Sequence, residues 1–187
     1  MTTFKEKMRL WPQFTLREAL LIGFCATFVI ITRAGLRLHL HLPGHVMLFT
    51  MFFYLLARGC VPKIGSAALV GLLASLASLV LGMGMPGMVF VKYLLPALVI
   101  EAALLLFPSS LEGMLACAAV GLIAATSRAL VSSGVEWLMG LEEEIILSKA
   151  LFIAVANGIF GGLGALAVPS VLRVLRKNGL IESTGKR

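Results

Sequence analysis

The side chains of this 187-residue chain that could do chemistry are few, and most stand near the ends of apolar stretches. All three histidines, His39, His41 and His45, fall between Arg33 and Met47, beside Arg33 and Arg37. Imidazoles two apart on an extended segment share a face, and neutral imidazole binds zinc, copper, nickel or cobalt. Met83, Met85 and Met88, in a Gly-Met turn further on, would add thioether ligands. Against a metal site, no cysteine or carboxylate adjoins the histidines, and Leu-His-Leu-His also suits an amphipathic loop capping a bundle.

A second group of residues sits inside apolar runs. Glu101 lies nine positions beyond Lys92, roughly 13 Å along a helix axis. A carboxylate at that depth in hydrocarbon is costly, so it must face the protein interior with a partner. Either it locks helices together, with Lys92, Arg128 or a serine, or it meets a polar ligand. Arg128 could snorkel to headgroups or offer its planar fork to a carboxylate or phosphate. Asn157 carries donor and acceptor together, suited to an interhelical hydrogen bond or to the edge of a heterocycle. Tyr93 and Trp137 could stack on an aromatic ligand, although interfacial belts hold such residues anyway. The mixture of charges suits a zwitterionic or weakly anionic molecule.

Enzymatic readings find little support. Ser132-Ser133-Gly134 lacks the flanks of a nucleophile elbow, and no phosphate loop or HExxH occurs. The expectation is a binding protein without a cofactor or an ATPase motif of its own. Cys25, Cys60 and Cys117 occupy separate apolar segments without CxxC spacing, as expected for helix packing rather than a disulfide framework.

The elements that must position these groups follow from composition. With 59% hydrophobic and 13% charged residues, the chain cannot hide its apolar surface in a soluble domain, where about 25% of residues are charged. Bilayer is the solvent that fits. The formal charge of +7 comes from cations at segment ends, which points to anionic lipid rather than nucleic acid. The reading is an all-α, polytopic membrane protein of six helices in one domain spanning 1–187. Residues 1–14 form an amphipathic lead, in which no cleavable signal is recognised, and 173–187 a basic tail. Thr15 is a helix N-cap with Glu18 closing a capping box. The helices are expected at about 16–32, 46–57, 64–81, 89–107, 111–131 and 145–172, and SSGVEWLMGLEEE is read as a polar loop. Eleven cations on the side of the termini against Arg33, Arg37, Lys92, Arg128 and Lys149 on the other place both termini in the cytoplasm of a plasma or inner membrane. The unusual loops then converge on the outer face, as an outward-facing pocket requires.

This layout resembles the substrate-binding S component of energy-coupling factor (ECF) transporters, across about residues 15–176. The resemblance rests on the small residues Ala19 and Gly23 in the first helix and on the junction ending Leu42-Pro43-Gly44-His45. It rests also on the Val61-Pro62-Lys63-Ile64-Gly65-Ser66 turn and on Asn157-Gly158-Ile159-Phe160-Gly161-Gly162. It implies a six-helix bundle and an outward pocket built from helices four to six and the outer loops. Here that pocket would hold Lys92, Tyr93, Glu101, Arg128, Glu136, Trp137 and Asn157, with His45 in the covering junction. It further implies docking of the first helix, through Ala19 and Gly23, onto a transmembrane T subunit coupled to two ATPases. The expected function is capture of a small water-soluble vitamin or vitamin precursor for ATP-driven uptake. No signature residue for thiamine, riboflavin or biotin is found. The alternative is a metal-ion uptake protein using His39, His41 and His45.

Overall fold

The computed structural model describes residues 14–39, 44–82, 84–111, 113–138 and 143–179. These form six α-helices and no strand: α1 (Leu16–His39), α2 (His45–Cys60), α3 (Ser66–Val80), α4 (Pro86–Leu106), α5 (Met114–Leu138) and α6 (Glu143–Lys177), with a 3-10 turn at Pro108–Leu111. The amphipathic lead through residue 13 and the tail beyond residue 179 lie outside the described residues. At the start of α1 the capping box forms as expected. The Thr15 N–H donates to Glu18 Oε2 at 2.7 Å and the Glu18 N–H to Thr15 Oγ1 at 3.4 Å.

Four helices outrun their expected ends: α2 continues to Cys60, α6 continues to Lys177 into the segment read as the tail, and α1 and α5 overrun furthest. Helix α1 continues from Thr32 to His39, and α5 continues from Val131 to Leu138. In both places the polarity rises, but no residue breaks the backbone. The Thr32 hydroxyl turns back to the Phe28 carbonyl at 2.7 Å, and the Ser133 hydroxyl to the Ala129 carbonyl at 3.0 Å. Polar side chains that bond within their own helix mark the membrane edge without ending the helix. The expected SSGVEWL loop is therefore helical through Leu138. Breaks in the chain coincide instead with glycine and proline, as at Gly44, whose φ of 91° is left-handed.

Four helices, α1, α4, α5 and α6, are long and apolar enough to cross a membrane. The other two, α2 with 16 residues and α3 with 15, are shorter. A 16-residue helix rises about 24 Å, less than a hydrocarbon core of about 30 Å. Helix α2 is the buried hub and touches all five others. Met47, Met51, Tyr54, Leu55 and Ala57 are almost wholly enclosed. Protein, rather than lipid, surrounds most of this short helix.

The helices run up and down. Contacts at one end join the start of α1, the α2–α3 turn and the end of α6: Lys63 pairs with Glu18 at 2.6 Å, and Gly59 faces Leu172. This is the terminal end. At the distal end α1 and α5 finish and α4 and α6 begin. Helices α5 and α6 touch backbone to backbone, for a Cβ on Gly161 would overlap Ala125 and crowd the Gly121 carbonyl. Such contact by small residues is the usual means of packing helices in lipid, where apolar burial supplies little drive. The exterior carries Leu20, Phe24, Ile31, Leu115, Leu130, Phe152 and Ile159, all well exposed. An apolar outside is the surface a bilayer demands.

Candidate functional site

Tyr93 is the centre of the distal polar cluster. It lies two turns into α4 and is almost wholly buried. The Tyr54 hydroxyl of α2 donates to the Tyr93 carbonyl at 3.1 Å, and the Ser78 hydroxyl of α3 donates to the Tyr93 phenol oxygen at 2.8 Å. Gly71 lets α3 approach closely enough for this, since a Cβ there would stand 3.0 Å from the Tyr93 carbonyl oxygen. Over the ring, 4.8 Å from its centroid, lies the Arg33 guanidinium of α1. The ring face is electron-rich, so a cation there is attracted. Four helices therefore fix one aromatic ring and the cation stacked on it.

A second guanidinium, Arg128 of α5, donates to the Met47 sulfur of α2 at 3.3 Å. A thioether is a weak acceptor, and an arginine carries five N–H donors. Lys92, beside Tyr93, feels the charges of Arg33, Arg128 and Lys149 and those of one carboxylate, Glu136. That carboxylate is in an ion pair with Lys149 across the α5–α6 connection. The distal end thus gathers cations in excess among the described side chains.

Asn157 of α6 is 6% exposed. It sits where the chain enters α2: a Cβ on Gly44 would lie 2.9 Å from the Ala156 carbonyl carbon and 3.1 Å from the Asn157 backbone nitrogen. The left-handed Gly44 therefore packs directly on the α6 backbone at Ala156 and Asn157. His45 follows directly, partly buried at the first position of α2.

The structure brings Lys92, Tyr93, Arg128 and Glu136 to the same end, with Asn157 and His45 on the junction beside them. Trp137 is 63% exposed on the outside of α5. Glu101 goes elsewhere. Its Oε1 accepts the Ala67 N–H at 2.7 Å, and its Oε2 stands 3.1 Å from Arg58 Nε, close but not aligned as a hydrogen bond. It caps α3 from α4 at the terminal end, and its partner is Arg58 rather than Lys92, Arg128 or a serine. His41, Met83 and the side chain of His39 lie outside the described residues, and the metal reading rests largely on them. No group of three potential metal ligands occurs among the described residues. Ala19 is exposed and the Cβ position of Gly23 is open, both on the outer face of α1.

Sequence reasoning passed over Arg33, Tyr54 and Ser78. The expected end of α1 at Thr32, seven residues short of His39, leaves Arg33 in the first junction. Its place four residues after Val29, which is wholly buried, was the signal that a longer helix would turn it inward.

No protein-family model matches the chain, and no curated protein matches it. Among solved structures, a crystal structure of an S-component of an ECF transporter superposes with a TM-score of 0.60 at 18% sequence identity, covering 90% of this chain and 88% of that one. A superposition over about nine-tenths of each chain is an agreement of fold that reaches beyond the shared residues. The chain has the fold of an ECF-transporter S-component.

Proposed function

We propose that this chain is the substrate-binding membrane subunit of an ECF-type transporter, capturing a small water-soluble vitamin or vitamin precursor at the outer face for ATP-driven uptake. The observation that carries the reading is the likeness to an S-component over nine-tenths of the chain. The polar cluster at the distal end supports it, since groups of that kind at a membrane edge are where a water-soluble ligand can be recognised. In this reading Lys92, Tyr93, Arg128, Glu136, Asn157 and His45 line or border the site, and Trp137 stands at its rim. Glu101 serves from below by holding α2, α3 and α4 in register.

The remaining parts follow. Both termini are cytoplasmic, the subunit docks through Ala19 and Gly23 of α1 onto a transmembrane T subunit, and two ATPases supply the energy. The chain itself catalyses nothing. Native mass spectrometry of the full chain, purified in dodecyl maltoside, tests the proposal. A small organic molecule carried in one-to-one ratio is the expected result. Protein that carries only lipid, or a metal ion lost on substitution of the histidines, would count against it.

A further inference from the structure

We infer that the distal site selects substrates bearing an acid group, a carboxylate or a phosphate, and that Arg33 and Arg128 are the residues that read it. This rests on the substrate-binding reading above and narrows it to a charge class.

The argument begins with charge. Arg33 of α1 stacks on Tyr93, Lys92 is the next residue of α4, and Arg128 of α5 stands in the electrostatic field of both cations. Glu136 is the one described carboxylate in their field, and it is engaged with Lys149. Cations gathered at the edge of hydrocarbon in excess of counter-charge are unfavourable, and such groups inside a membrane protein mark a ligand path by default. Hydrogen bonding points the same way. One buried guanidinium nitrogen of Arg33 has no acceptor among the described residues, and the side-chain acceptor that Arg128 finds among them is a thioether. Two planar forks with donors to spare match a carboxylate or phosphate, which accept in pairs. The forks are also held ready: the Arg33 guanidinium rests on the Tyr93 ring, itself fixed by Tyr54 and Ser78. A neutral or cationic substrate would leave both arginines unanswered. The acidic run Glu142-Glu143-Glu144 lies outside the described side chains and enters the test through its outcome.

An acid group can come from a substrate or from a lipid headgroup, and the experiment separates the two. Thermal unfolding of the full chain in dodecyl maltoside is followed against benzoate, inorganic phosphate, benzamide and benzamidine, and against added phosphatidylglycerol or phosphatidylcholine. The expected result is saturable stabilisation by benzoate or phosphate, at least tenfold weaker in Arg33→Gln and in Arg128→Gln. Arg128→Lys, which keeps the charge and loses the fork, should fall between. Benzamide and benzamidine should give no saturable shift. Equal response to the neutral or cationic probes overturns the inference, as does acid binding that survives both substitutions, or no response to any probe. Arginine-dependent stabilisation by phosphatidylglycerol alone assigns the cations to lipid and also overturns it. The wider reading fails by a different result: if native mass spectrometry finds a carried molecule that is neutral or cationic, the binding subunit stands and only the charge class falls.

Discussion

Glu101 answers two neighbours at once. One oxygen accepts the Ala67 N–H in the first turn of α3, where the helix dipole favours an anion, and the other faces Arg58. Both Glu101 and Arg58 are buried, so removing one charge strands the other. Glu101→Gln retains an acceptor for Ala67 but leaves Arg58 alone, and should cost about 3 kcal/mol. The measurement is a lower Tm in detergent with no change in ligand preference. A selective loss of ligand binding at unchanged Tm would return Glu101 to the site. Tyr93→Phe is milder. It removes the oxygen to which Ser78 donates and keeps the ring beneath Arg33, so about 1 kcal/mol of stability is expected to go. An unchanged Tm would show that the Ser78 bond contributes nothing.

At the scale of helices, the same change of glycine to alanine should act oppositely at two places. A Cβ at Gly161 overlaps Ala125 across the α5–α6 seam, so Gly161→Ala must push two helices apart and should destabilise by about 1–3 kcal/mol. At Gly23 nothing lies within 4 Å, and Gly23→Ala should be neutral or add up to about 1 kcal/mol through helix propensity. Comparative thermal unfolding of the two variants decides it, and equal effects would mean that α5 and α6 are not in backbone contact. The seam on α1 bears a separate test. Ala19→Trp and Gly23→Trp point outward and should leave ligand binding intact while uptake in cells is lost. Persistent uptake in both would move the docking surface off α1.

For the whole molecule the decisive quantity is orientation. If the distal end faces outward, Trp137→Cys should react with an impermeant maleimide on intact cells, and Asn178→Cys only after the membrane is opened. The reverse pattern would turn the site inward and remove the uptake reading. Much of this architecture was legible beforehand. The six helices, the Thr15–Glu18 box and the break at Gly44 all follow from local chemistry: hydropathy, capping and a turn-forming glycine. Helix ends at Thr32 and Val131 were misplaced because polarity reports where water begins, whereas a backbone ends its helix only where its own bonds fail.

By itself, then, the order of residues determined that this is a membrane bundle and how many helices it has. Tertiary structure alone decided who meets whom. Glu101 finds Arg58 and the start of α3, and Arg33 finds the Tyr93 ring, because the rotation of each helix about its axis is set by the close contacts of its neighbours. Period and hydropathy are the same for every rotation that keeps an apolar face outward, so no reading along one helix can choose among partners on the others.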